Sequence, residues 1–522
     1  MSSSPRLFFH CDGRDGPHLH DAGSGPPAPG RRGSGGPDYS KTSFDSFVVD
    51  EGVFVDIGTG LNTNPAYAGI ERLDLGGATI LPAFADAHVH FMQTGLTLLG
   101  CCFDACRSLQ DVFDALAGFV RTDGHDWIFG WNLDETQLKE GRLPTIAELD
   151  RVVGPRRLWL SRIDLHSAIP SSATVEWARN IDAGFLPENG RFIKDAYNRL
   201  ATLVIGALPK SMKMTALEKA RRFCLSAGVT SVHALEGGWS ASREDVAMIA
   251  DFLARPGFHG HVYHQSEDPT LALERGWPRL GGCLFIDGSF GSRTAALSAP
   301  YADDPSTSGV IYRDAANIES LIGTCAKHGL QLAMHAIGDR AIASLVDAHL
   351  ALRDLSSPPP VPHRIEHFEL PGRETIRRAK EAGLLISMQP AFEVLWGGSD
   401  GMYALRIGDR HRMTNPFRSV LDAGLRIAGG SDSPVTPVDP FLGIHGFLNH
   451  PNADERVTLN EALHAFIVEP HAFAVPRPDR GRFRTRFRAD FICLSSDPFK
   501  IDPRELRTVR VARTFVGGNE IS

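Results

Sequence analysis

The chain is predicted to be α/β, a (β/α)8 TIM-like barrel plus a small β-sandwich formed by both termini. Three observations point there. The middle of the chain alternates apolar strand-like runs with helical patterns. Polar residues, many of them histidine, stand at the ends of those runs. The two ends share a short-strand, turn-rich texture, as though they met in one sheet.

At the N-terminus, Arg6–Phe9, Ser46–Asp50 and Gly52–Asp56 read as strands. Between the first two lies a Gly/Pro/Ser-rich stretch, 13–40, read as a flexible insertion. The C-terminal runs Ala489–Leu494 and Val509–Gly518 match them in character. Residues 1–82 and 470–522 are therefore expected to form one composite sandwich domain. Residues 83–469 are the expected barrel, with an inserted segment around 95–200. Its strands are expected at Arg157–Ser161, Thr230–His233, Cys283–Asp287, Leu330–His335, Arg364–His367, Leu384–Gln389 and Leu425–Gly430, with helices at Met214–Ala227, Ala316–His328, Asp339–Leu352 and Gly372–Ala382 between them.

The totals narrow the function. With 522 residues and 42% hydrophobic content the chain can bury a large core. A net charge of −8 gives no reason to expect nucleic acid or an anionic membrane surface as partner. No apolar run approaches the ~20 residues of a membrane helix, and the first residues lack an export signal. Eight scattered cysteines are no disulfide framework. A cytoplasmic protein with a small-molecule substrate is expected, and a homodimer is left open.

In the run Leu81–Phe91, His88 and His90 stand two apart at the end of an apolar strand. Side chains at i and i+2 share a face, so both imidazoles can reach one ion. The other strand ends carry His233, Asp287, His335, His367, Gln389 and Asp432, and Asp164 and His166 follow another. Four histidines (His88, His90, His335, His367) with Asp432 form a metal-ligand set. A metal bound there would lower the pKa of a coordinated water to near ~7 and polarise a carbonyl. A carboxylate beside that water serves as general base.

These residues, with Trp127–Asn132, Arg162–Ser167, Asp287–Leu297, Met334–Ala341, Arg364–His367, Gly430–Val435 and the tail through Val516–Gly518, resemble the amidohydrolase superfamily. The resemblance is to its family 3 branch, which includes N-substituted formamide deformylases. It implies a barrel with a sandwich from both termini and a centre of one or two metal ions, zinc or another divalent metal. It also implies that His88 and His90 hold the more buried ion, His335 and His367 the second, and that Asp432 is base and ligand. The Asp287–Leu297 loop would line the pocket.

One position departs from the family pattern. Cys283 stands where a carboxylated lysine is usual, four residues before Asp287. Three readings stay open: a thiolate bridging two zinc ions, a ligand to one, or a buried bystander. Beyond the ligands, His166 and His233 could orient substrate or support the centre. Asp287 would sit in the pocket loop, Arg293 could meet a substrate carboxylate or a structural partner, and Trp131 could wall the pocket or fill the core.

The expected activity is hydrolysis of an amide or N-acyl C–N bond, with Asp432 and His335 catalytic. The alternatives are a lyase, isomerase or cyclising enzyme on the same metal, or a non-catalytic metal-binding regulator.

Overall fold

The computed structural model describes residues 4–15, 39, 43–162, 167–238, 241–353 and 359–521. Most of the Gly/Pro-rich insertion, and Asp164 and His166, lie outside them. The chain divides into two compact units. One comprises 1–89, 223–235 and 253–522, and the other 90–222 and 236–252.

The first unit holds two sheets. The terminal one has seven strands, in the order Asn519–Ile521, Val511–Val516, Phe491–Leu494, Glu71–Pro82, Arg6–Gly13, Phe44–Asp50, Val53–Gly58. Strands from the two ends of the sequence meet where Phe491–Leu494 pairs antiparallel with Glu71–Pro82. Phe47 and Phe491 lie three strands apart in this order, about 14 Å along a flat sheet. Their ring centroids are nevertheless 5.0 Å apart, and those of Phe8 and Phe515, also three strands apart, 5.9 Å. The sheet therefore curls over its own phenylalanines, with Phe44, Phe54 and Phe483 completing the cluster.

The second sheet is an eight-stranded parallel barrel. Its strands are β1 (Phe84–Val89), β2 (Val229–Gly237), β3 (His259–Gln265), β4 (Arg279–Phe285), β5 (Gln331–Ala336), β6 (Arg364–His367), β7 (Leu385–Met388) and β8 (Ile427–Gly429). All six residues of β1 are buried, as expected of a strand covered on both faces. The seam between first and last strands closes through a parallel bridge of Val89 with Ser433 and a bond from Asp432 N–H to His88 O of 2.8 Å. The helices Ala315–His328, Asp339–Leu352 and Arg373–Glu381 match their expected spans to within two residues.

Two differences from the sequence reading have a common cause. The strand Arg157–Arg162 belongs to a separate five-stranded sheet in the second unit, not to the barrel. The barrel's third strand is His259–Gln265, whose three histidines (His259, His261, His264) disguise its apolar pattern. A local run indicates strand without indicating which sheet receives it. Among the described residues no helix is long and apolar enough to cross a membrane, and all eight cysteines are free.

Candidate metal centre

His88 enters the barrel from β1 with no exposed surface. Its own N–H donates to Asp86 Oδ1 at 3.0 Å, and the same oxygen accepts from Ser431 N–H at 3.0 Å. Asp86 thus staples β1 to the segment after β8. Burial pushes this carboxyl up to about 6. Gly430 permits the approach, since a Cβ there would stand 2.8 Å from both the Cβ and the backbone nitrogen of His88.

Cys283 comes from β4 just after Gly281 and Gly282, whose φ values are +86° and +101°. The pairing register with β5 slips between Gly281 and Phe285. Glycine tolerates these angles and the resulting bulge re-aims the strand. The Cys283 sulfur then lies 3.6 Å from His88 Nε2, 3.7 Å from His335 Nδ1 and 3.6 Å from His367 Nε2. Asp432 adds Oδ1 at 3.1 Å from His88 Nε2. His367 and Asp432 have φ of +72° and +57°, a region that non-glycine residues rarely occupy. At His367 this breaks strand alternation, so the adjacent Glu366 and His367 both reach the centre. Backbone in such regions costs about 1–3 kcal/mol each and collects at functional sites.

Each imidazole is anchored on its far side. His88 Nδ1 lies 2.8 Å from Glu366 Oε2, His367 Nδ1 lies 2.7 Å from Gln389 Oε1, and His335 Nε2 lies 3.2 Å from Gly288 O. Protons on these outer nitrogens leave lone pairs facing inward. Burial opposes ionisation of the Cys283 thiol, but the three imidazoles more than offset it and hold the group well below its ordinary value. Burial likewise opposes the cationic form of His88, and Asp432 and Cys283 outweigh it to raise the group well above 6.5.

The donor set fits a metal ion. A thiol, three inward imidazole nitrogens and a carboxylate converge, electron-rich atoms that a cation would hold together. Zinc–sulfur and zinc–nitrogen bonds of ~2.3 and ~2.0–2.1 Å at a tetrahedral angle place S and N about 3.5 Å apart. The sulfur–nitrogen separations of 3.6–3.7 Å are close to that. His88, Cys283 and His367 form one such candidate group.

The other expected site residues are placed as follows. His90 lies just past β1 and is the N-cap of the helix Phe91–Leu99 in the second unit. There Glu236 accepts the N–H groups of Phe91 and Met92. Trp131 is buried in that unit, its ring stacked on Phe129 at 5.9 Å. His166 is outside the described residues.

Asp287 is fully buried and accepts three backbone N–H groups, from Ala296 (2.8 Å), Ile337 (3.0 Å) and Gly338 (2.8 Å). It therefore fixes the loop that it begins. Arg293 makes a two-point pair with Asp303, at 3.1 and 2.7 Å. His233 is buried with Nδ1 2.7 Å from Arg364 Nη1. Burial, then Arg364, drives its pKa well below 6.5, so it accepts from the guanidinium as a neutral ring. The sequence reading assigned no role to Asp86, Arg364 or Glu366. The signal available was the alternation in Arg364–His367, which puts Arg364 and Glu366 on one face.

A sequence model of the amidohydrolase family matches residues 71–521. The chain belongs to that family. Among amidohydrolase relatives, YtcJ of Bacillus subtilis is 29% identical over 516 residues, covering 91% of this chain and 95% of its own length. The N-substituted formamide deformylase of Arthrobacter pascens is 24% identical over 520 residues, with 92% and 95% covered. The crystal structure of an uncharacterised metal-dependent hydrolase from Pyrococcus furiosus superposes with a TM-score of 0.76 at 26% identity, covering 95% of this chain and 100% of that one. Family and likenesses together make this amidohydrolase a hydrolase.

Proposed function

We propose that the protein hydrolyses an amide or N-acyl C–N bond of a small molecule at a zinc centre. In this reading the ligands are His88, His90, Cys283, His335, His367 and Asp432. The observation that carries it is the convergence of the Cys283 sulfur and three inward imidazole nitrogens beside Asp432. The formamide deformylase among the relatives supports the choice of bond. When bound, the ion supplies Lewis acidity toward a carbonyl oxygen and makes water a stronger acid.

The chain's own residues do the rest. Asp432, held beside His88 by the barrel seam, takes a proton from the attacking water at its carboxylate and returns it to the departing nitrogen. His335, its Nδ1 facing Cys283 and its Nε2 held by Gly288 O, serves in this reading as a ligand and helps hold the oxyanion. The buried Asp287 keeps the pocket loop in register through its three N–H contacts.

Asp432→Asn is expected to lower kcat by about 10²–10⁴-fold while zinc content stays near that of the unaltered protein. Full turnover in that variant rules Asp432 out as the base. With an N-acyl substrate in ¹⁸O-labelled water, the label is expected in the product acid. An unlabelled product rules out hydrolysis.

A further inference from the structure

The imidazoles around Cys283 are not supported alike. The outer nitrogen of His335 meets a backbone carbonyl, that of His367 meets the neutral amide of Gln389, and that of His88 meets the carboxylate of Glu366. That carboxylate is in turn clamped. Arg364 Nη2 donates to Glu366 Oε2 at 2.8 Å and Nε donates to Oε1. The same guanidinium reaches the Ala87 carbonyl in β1 (2.7 Å), His233 in β2 (2.7 Å) and the Tyr263 hydroxyl in β3 (3.3 Å), and lies over the Tyr263 ring at 4.6 Å. Arg364, Glu366 and His88 are all within 1% of complete burial.

An ionised carboxylate can only accept a hydrogen bond. Arg364 donates to both oxygens of Glu366, the two-point pairing of a guanidinium with a carboxylate anion. His88 must then donate from Nδ1. A carboxylate on the outer nitrogen of a metal-binding histidine fixes its tautomer and raises its basicity. An anion does this more strongly than an amide, since the N–H dipole is drawn toward a full charge.

We propose that Glu366, clamped by Arg364, is a positioning residue for the metal centre: it keeps the proton on His88 Nδ1 and makes His88 Nε2 the strongest imidazole donor of the set. Arg364 ties that function to four strands at once, so the donor's aim is built into the barrel wall. This rests on the metal reading proposed above.

The test compares zinc dissociation constants, by competition with a chromophoric chelator, for the unaltered protein, Glu366→Gln, Gln389→Ala and the double variant Arg364→Met/Glu366→Gln. Thermal midpoints are measured on the metal-free forms. Glu366→Gln strands the Arg364 charge in the interior and loses stability for that reason alone, whereas the double variant removes both charges and regains it. Zinc affinity is expected to fall about 10–100-fold in both, staying low in the double variant after stability returns. Gln389→Ala is expected to lose less.

A folded double variant with unaltered zinc affinity overturns the proposal, as does a loss in Gln389→Ala equal to that in Glu366→Gln. Should neither Glu366 variant fold, ¹⁵N-histidine spectra of the unaltered protein decide. A proton is expected on His88 Nδ1 with or without metal, and an unprotonated Nδ1 overturns the assignment. If the unaltered protein binds no zinc, the metal reading fails by itself, and the protonation of His88 Nδ1 in the metal-free protein still reports on Glu366.

Discussion

Cys283 touches three imidazoles at once, and its removal takes away the atom they share. Cys283→Ala is expected to lower the zinc content of the purified protein by at least one ion per chain, read by elemental analysis. Loss of two ions together supports a bridging thiolate, and an unchanged count makes the sulfur a bystander. Much of this neighbourhood was legible in the sequence. His88, Cys283, His335, His367 and Asp432 each stand in or next to an apolar run, and runs of that kind carry site residues at their ends in barrels. Glu366 and Arg364 were not legible as supports. Their importance comes from partners in β1, β2 and β3, far away in sequence, and from a left-handed φ at His367 that no residue type announces.

At the scale of elements, the strand–helix rhythm gave the barrel, because alternating apolar runs and amphipathic helices have few other ways to bury their faces. It failed where composition and location diverge. The strand Arg157–Arg162 has the required pattern and joins another sheet, while His259–Gln265 lacks it and joins the barrel. The close approach of β1 to the segment after β8 was also hidden, since it depends on what faces Gly430. Gly430→Ala would drive a methyl group against the backbone and Cβ of His88. It is expected to cost about 1–3 kcal/mol of stability, as overpacking does, and to weaken zinc binding in the same variant. Chemical denaturation with a parallel zinc titration checks both.

For the whole molecule, pH acts through histidines that the fold buries as neutral rings. Burial lowers His349 to about 4; burial together with Arg480 and His259 lowers His471 to about 3. The unfolded chain protonates such groups near 6.5, so below that pH the folded state binds fewer protons. Their contribution is therefore complete above pH 6.5 and is lost as pH falls toward the folded values. Between pH 6.5 and 5 each such histidine is expected to withdraw about 2 kcal/mol. Denaturant unfolding at the two pH values measures this, and His349→Leu is expected to shrink the difference by about one such share. An undiminished difference in that variant excludes His349 as a source.

The seam that joins Val89 to Ser433 has a kinetic meaning as well. The first and last barrel strands become neighbours only after the ends of a very long loop have found each other, and such non-local pairings form slowly. His88 and Asp432 sit on opposite sides of that seam. A chain in which the barrel is open therefore has the ligands but no site. Possession of a working centre is, for this fold, a certificate that the ring has closed.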